Sequence, residues 1–180
     1  MKRATDALSV CLAARDVFGA PTVKDALERM TAVVVQDDVQ DDDDLKDAAA
    51  KTAKRKLPQM LMRTAILAVK TYPSQLAGFV AKTLLTRLAT KFSIWLNSSL
   101  WKGFVLCCTM LGDENGPNCF DALLALPAPQ LSFVLKSPNG AKLKLPVKRH
   151  AEKELARNKA NHAAPTIAAP VLRLLGAKPP

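Results

Sequence analysis

The sequence has little glycine and few aromatic side chains. It contains 7 glycines in 180 residues, and aromatic residues make up 5% of the chain. An all-β domain would need turn residues about every 8–12 positions, and these are missing. Alanine, leucine and valine dominate instead, and this composition favours helices over sheets. The sequence therefore predicts an all-α fold.

The sequence also lacks long apolar runs and paired cysteine motifs. No stretch reaches the ~18 uncharged apolar residues of a membrane span, and no apolar signal-peptide segment follows Met1-Lys2-Arg3. We therefore expect no membrane partner. The cysteines have no CxxC spacing, which argues against zinc and favours buried, reduced thiols in an intracellular compartment. They are Cys11, Cys107, Cys108 and Cys119.

Acidic side chains are missing from a long central segment. From Ala48 to Gly112 there are ten Lys or Arg residues and no Asp or Glu. Residues 1–44 hold 5 basic and 10 acidic residues (−5), whereas residues 45–180 hold 21 and 6 (+15). This distribution predicts an anionic partner, either nucleic acid or an acidic protein surface. A merely solvated lysine-rich surface is the alternative.

No group of residues in the sequence is suited to catalysis. Nucleophilic catalysis needs a nucleophile and a base, and nothing in the sequence pairs Cys107 or Cys108 with His150 or His162. A glycine-rich phosphate loop is missing as well. The sequence therefore predicts a protein that is not an enzyme and binds no cofactor.

The acidic run Gln36–Asp44 contains six aspartates and fails as a calcium loop. Counted from Asp37, the sixth position should be Gly and is Asp42, and the twelfth should be Glu and is Ala48. We therefore expect a solvated loop here, not a metal site.

Apolar residues recur at helical spacing through most of the chain. This pattern predicts an irregular antiparallel helical stack of the HEAT or armadillo type. Thr22 is the predicted N-cap of the second helix, and Pro58 is the predicted first position of the fourth. The predicted helices lie at Thr5–Phe18, Thr22–Val35, Leu45–Lys56, Pro58–Thr71, Leu76–Leu88, Leu100–Leu111, Phe120–Leu126, Gln130–Leu135 and Val147–His162.

Changes in composition divide the chain into four segments. The predicted divisions are N-terminal helices at 1–35, an acidic-then-basic insert at 36–56, a helical core at 57–136, and a basic helix with a flexible proline-rich tail at 137–180. The predicted core side chains are Leu61, Phe79, Leu84, Leu88, Trp95, Trp101, Phe104 and Leu124. The predicted partner interface consists of basic residues on the polar sides of the helices, Arg63, Lys70, Arg87, Lys91 and Lys102.

A basic RNA-binding module is the alternative function. Its basic face would comprise Lys51, Lys54, Arg55, Lys56, Lys82, Arg87, Lys91 and Lys102. Binding of this kind is sensitive to salt and independent of sequence. The basic residues are not interleaved with aromatic residues on which RNA bases could stack, and this argues against the RNA-binding alternative.

An ordered series of motifs runs through the apolar block of the chain. The first is the LPQMLMRT block, Leu57–Thr64, which has the pattern LP-x-x-LMRT. The series continues with Tyr72-Pro73, Gly78-Phe79-Val80, Leu85-Thr86-Arg87-Leu88, Lys91, Trp95, Leu100–Phe104, Cys107-Cys108, Phe120, Leu123–Pro127 and Gln130-Leu131. In this order the motifs resemble the C-terminal domain of the symplekin family, and the segment Ala4–Thr31 resembles the preceding helices of that family more weakly.

The resemblance implies a scaffold subunit of the nuclear machinery that cleaves and polyadenylates pre-mRNA 3′ ends. Its implied partners are the endonuclease subunit of that complex and the inactive homologue of the endonuclease, with RNA contacted indirectly. The Asp-rich insert and the region after Leu135 depart from the family pattern. An N-terminal HEAT domain of the family is missing, so we expect a fragment or a short homologue.

Overall fold

The structure is a computed structural model, and the regular elements that it contains are all helical. It describes residues 6–7, 10–12, 14, 18–32, 57–91, 94–112, 116–161 and 167–177. Within these residues the all-α prediction is confirmed, whereas the HEAT or armadillo arrangement stays a prediction. Among the described residues the α-helices with defined bounds are α1 (Ala20–Ala32), α2 (Leu61–Thr71), α3 (Pro73–Phe79), α4 (Leu85–Lys91), α5 (Ser98–Met110), α6 (Phe120–Leu124), α7 (Ala128–Lys136), α8 (Lys144–Ala160) and α9 (Ala169–Leu175).

The contacts divide the chain into two compact units, Met1–Leu76 and Ala77–Pro180. The four segments predicted from composition stay predictions. The acidic loop Gln36–Asp44 and the helix Leu45–Lys56 lie outside the described residues.

In the first unit, α1 packs against α2. Both helices bury apolar stripes, with Val23 and Leu27 on α1 and Leu61 on α2. The hydroxyl of Tyr72, just after α2, donates a hydrogen bond to the backbone carbonyl of Phe18. This bond fixes the segment before α1 to the end of α2.

Two predicted helix starts are wrong in the first unit. Thr22 is not an N-cap, because α1 already begins at Ala20. Pro58 is not the first helical residue, because α2 begins at Leu61 and Pro58 instead accepts the Leu61 N–H in a turn, at 3.0 Å. A proline carbonyl closes such a turn without needing the missing N–H.

Helix α3 is followed directly by a π-helical turn, Val80–Leu84, which leads into α4. The predicted stripe of Leu76, Val80, Leu84 and Leu88 is confirmed, since all four side chains are buried. Both the π turn and α4 pack against α6.

Helix α5 begins at a conventional polar cap. The Asn97 side-chain oxygen accepts from the N–H groups of Ser99 and Leu100, at 3.1 and 3.2 Å. This satisfies two N–H groups that a helix start leaves without a partner. The predicted buried stripe of this helix is confirmed, and it consists of Leu100, Phe104, Cys108 and Leu111.

The turn after α7 depends on a glycine. A Cβ at Gly140 would lie 1.9 Å from the Val134 carbonyl oxygen, so no side chain fits. Gly140 also donates its N–H to the Ser137 hydroxyl at 3.1 Å. The chain then enters α8, which starts at Lys144, three residues before the predicted start at Val147.

The flexible tail predicted after α8 is wrong for residues 169–175, because they form α9. This helix contacts α7 and α8 and buries Val171, Leu172 and Leu175. It ends in a Schellman motif: Gly176 has φ +63°, its N–H bonds to the Arg173 carbonyl, and the Ala177 N–H bonds to the Leu172 carbonyl at 3.0 Å.

Candidate protein interface

Helix α5 is apolar on nearly all of its sides. Its sequence SSLWKGFVLCCTM contains one charged residue, Lys102. One side is buried, yet on the opposite side Leu106 is 47% exposed. A helix that is apolar all round is normally covered on every side. The open side of α5 is therefore unusual for a helix of this composition.

Two aromatic contacts hold Trp101 at the edge of this open side. Its ring stacks on buried Phe104, with centroids 5.5 Å apart and planes 13° apart. On α7, Phe133 contacts the Trp101 ring with centroids 6.2 Å apart, although the Phe133 side chain itself is 61% exposed. Offset aromatic contacts of this kind restrict ring orientation. Trp101 is therefore half-buried and fixed in place.

We call the resulting patch the α5 surface, and it consists of Trp101, Lys102, Val105, Leu106 and Phe133. Trp101 and Val105 are one helical turn apart, as are Lys102 and Leu106, so the α5 residues form two adjacent rows. Contiguous exposed apolar side chains with a polar rim are typical of interaction sites. The geometry therefore suits protein binding.

The charged side chains of α5 and α7 are both basic, Lys102 on α5 and Lys136 on α7. The sequence has no acidic residue in 48–112 or in 122–151, the two segments that contain α5 and α7. Lys102 is exposed within the patch, and Lys136 is exposed one turn along α7 from Phe133. An acidic partner segment would meet no like charge on these two helices.

The basic residues predicted for the partner interface lie in both units. Arg63 (half-buried) and Lys70 (exposed) belong to α2 in the first unit. Arg87 (half-buried, on α4) and Lys102 belong to the second. The side chain of Lys91 lies outside the described residues, and only Lys102 of the described four belongs to the α5 surface.

The eight predicted core residues divide into two groups. Leu61, Leu84, Leu88, Phe104 and Leu124 are buried, whereas Phe79, Trp95 and Trp101 are half-buried. Trp101 differs because its outer side meets an exposed ring on α7 and not a further helix.

The sequence prediction missed Leu106 and Phe133. The signal for them was present, because α5 has one charge in 13 residues and therefore needs more cover than a single packed side gives. The contact between Phe133 and Trp101 joins residues 32 positions apart, and no periodic pattern within one helix predicts it.

Three cysteines are buried at the inner side of α5 and at the start of α6. Cys107, Cys108 and Cys119 are buried and free, and the Cys119 thiol donates to the Cys108 carbonyl at 3.4 Å. Burial raises the pKa of Cys107 to about 12 and also raises the pKa of Cys108. Because the thiolate is the nucleophile, the raised pKa makes Cys107 and Cys108 poorly suited to nucleophilic catalysis.

A polar contact joins α8 to α6. His150 Nε2 and Asp121 Oδ1 are 2.6 Å apart, and the His150 ring also contacts Phe120 with centroids 5.5 Å apart. A small open cavity of about 210 Å³ adjoins them, and it is lined by Asp121, Leu124, Ala125, Glu154 and Ile167. His150 therefore helps to hold α8 on α6, since it makes one hydrogen bond and one ring contact to residues of α6.

The described part of the chain contains neither a cluster of metal-ligating side chains nor a membrane-spanning helix. There, no three histidine, cysteine or carboxylate side chains converge as a metal site would require. Every helix in the same residues is too short or too polar for a membrane span.

Comparison with known proteins gives one match. The family described as "Symplekin tight junction protein C terminal" matches residues 1–137, which include α1 through α7. No curated protein and no solved structure matches the chain. The matched family is not a known enzyme family. The motif series and the family match agree, and the chain belongs to the symplekin C-terminal family.

Proposed function

We propose that this chain is a non-enzymatic scaffold of nuclear pre-mRNA 3′-end cleavage and polyadenylation. Its partners are the endonuclease subunit of that machinery and the inactive homologue of the endonuclease. Membership of the symplekin C-terminal family over residues 1–137 is the observation that carries the proposal.

The physical features of the second unit support a binding function. The α5 surface combines an exposed phenylalanine, a half-buried tryptophan and one lysine, Lys102. Aromatic residues dominate the binding energy of protein interfaces, and charge complementarity accelerates association. The raised pKa of Cys107 and Cys108 argues against a thiol-dependent reaction.

A binding measurement tests the proposal directly. The full chain is immobilised and exposed to the purified C-terminal region of the endonuclease subunit, alone and together with that of the inactive homologue. We expect saturable capture. An unrelated basic protein of similar charge serves as control, and capture no better than this control would sink the proposal.

Cellular location provides an independent test. The family description names a tight-junction protein, whereas the proposed function requires the nucleus. A fluorescent fusion of the full chain should accumulate in the nucleus. Accumulation at cell junctions would contradict the nuclear part of the proposal.

A second candidate function, RNA binding, is favoured by helix α8. Arg149, Lys153 and Arg157 are exposed and follow one another at four-residue spacing, which places them along one side of the helix. Of the basic face predicted from the sequence, Lys82 and Lys102 are exposed in the structure. Affinity for single-stranded RNA should fall steeply with ionic strength, and no binding at ~50 mM salt would rule this function out.

A further inference from the structure

The open side of α5 raises a question that family membership leaves unanswered, namely what covers it. The apolar residues of this helix exceed what its buried side needs, since Leu106 is 47% exposed. On α7, Phe133, which contacts Trp101, is 61% exposed. Helix α8 provides an internal reference. It buries Val147, Ala151 and Leu155, and eight of its 17 residues are charged, mostly on its open side. Although α8 also exposes Leu145, the other exposed positions of α8 are mostly charged, whereas α5 carries a single charged residue.

We propose that the α5 surface docks an amphipathic helix of a protein partner, with the apolar side of that helix on Trp101, Leu106 and Phe133 and its acidic residues beside Lys102 and Lys136. This assignment rests on the proposed function and adds to it the surface used and the chemistry of the bound segment. The bound helix presents apolar residues at i, i+3 or i+4, and i+7.

Shape favours a helix as the bound element. The rows Trp101–Val105 and Lys102–Leu106 extend over little more than one helical turn, and the Phe133 ring contacts Trp101 in the first row. A ridge of side chains on a partner helix fits between such rows, as in ordinary helix packing. The stack on Phe104 holds the Trp101 ring before binding, so little side-chain entropy is lost there.

Charge selects the partner. No acidic residue occurs in 48–112 or 122–151, and the exposed charges around the patch are lysines. A second copy of this chain would place Lys102 near its own counterpart, because a two-fold interface puts the same surface on both sides. Like charges at that position disfavour a homodimer. An acidic helix from another protein avoids this repulsion.

Charge insertion into the patch is the first arm of the test. Leu106→Glu and Phe133→Glu are prepared in the full chain, with Leu145→Glu as the matched control, since Leu145 is a 56% exposed leucine on α8. Circular dichroism and urea unfolding confirm that each variant folds. Binding is measured to the C-terminal region of the endonuclease subunit.

We expect Leu106→Glu and Phe133→Glu each to weaken binding by about 30-fold or more, as truncation of an interface hot spot does. The Leu145→Glu control should stay within about twofold of the wild type. Wild-type affinity in both patch variants, or equal losses in all three, would overturn the docking assignment and leave the scaffold function intact. Failure of the wild type to bind would instead remove the scaffold function, and this assignment with it.

Charge reversal is the second arm. Lys102→Glu should slow association by about 5–10-fold at low salt, with the difference shrinking at high salt, because a lost attraction acts mainly on the association rate. Lys159→Glu, at an exposed lysine on α8, is the control and should change little. Equal or faster association by Lys102→Glu would refute an acidic partner segment.

Sedimentation of the wild type tests whether a second copy of the chain covers the α5 surface. We expect a monomer at micromolar concentration. A dimer that Leu106→Glu dissociates would overturn the proposal, because the patch would then be covered by a second copy of the chain.

Discussion

Helices α5 and α8 lie in the same unit and expose opposite kinds of surface. Helix α5 has one charged residue in 13 and leaves a leucine and parts of a tryptophan open. Helix α8 places Lys148, Lys153 and six other charged residues in a 17-residue segment, around a narrow buried stripe. The comparison shows that charged side chains occupy most of the open side of α8, although Leu145 is exposed there, whereas α5 has a single charged residue and exposes Leu106.

The family match adds to this contrast. It covers α5 and α7 and ends at residue 137, before α8 begins. The open apolar patch therefore lies in the part of the chain that defines the family, and the charged helix lies outside that part.

The two sides of α5 should differ most in their contribution to stability. Phe104→Ala removes a fully buried ring beneath Trp101 and should lower the free energy of unfolding by about 3–5 kcal/mol. Leu106→Ala, on the open side, should change it by less than about 0.5 kcal/mol. Urea unfolding measures both. Similar losses would show that Leu106 is packed and that α5 has no open side.

The region after residue 137 should contribute to stability as well. Leu172→Ala, in the buried stripe of α9, should cost about 2–4 kcal/mol because the cavity left between α9 and its neighbours cannot collapse fully. The control Arg173→Ala, at an exposed neighbour, should be nearly neutral. A neutral Leu172→Ala would restore the flexible tail expected from the sequence.

The end of α9 should show a smaller, conformational effect. Gly176→Ala places a side chain at φ +63°, and we expect a loss of about 1 kcal/mol. The matched control is Gly116→Ala, where an added Cβ would meet nothing within 4 Å. Thermal unfolding of the two variants separates strain from the loss of glycine itself, and equal melting temperatures would contradict the Schellman cap.

The charged side of α8 should contribute least. Lys153→Ala should leave the free energy of unfolding within about 0.5 kcal/mol of the wild type, as exposed surface substitutions usually do. Partner binding by this variant should also match the wild type within about twofold. A clear loss of binding would move the interface from α5 to α8.

Much of the fold followed from local rules in the sequence. The buried stripes of α3, the π turn, α4 and α5 were predicted because apolar residues at helical spacing point to one side. The start of α2 was not, because a proline is equally suited to the first turn of a helix and to the tight turn before it. The α9 helix was missed because its three flanking prolines dominated its composition, although Leu175-Gly176 is an ordinary helix stop.

The candidate surface was less predictable than the fold. Basic residues were chosen from the acid-free segment, and of the described ones Lys102 alone belongs to the α5 surface. Leu106 was assigned to no site, since periodicity identifies the buried side of a helix and says nothing about the cover on the other side. The pairing of Trp101 with Phe133 depends on how α5 and α7 meet, and a single sequence does not contain that information.

Side-chain footprinting tests the central claim most directly, because it reads the solvent exposure of the patch itself. The full chain is treated with hydroxyl radicals alone and bound to the endonuclease C-terminal region, and oxidation of Trp101, Leu106, Phe133 and Leu145 is measured by mass spectrometry. We expect strong protection of Trp101, Leu106 and Phe133 on binding and unchanged oxidation of Leu145. Unchanged oxidation of Leu106 and Phe133 in a demonstrated complex would contradict it.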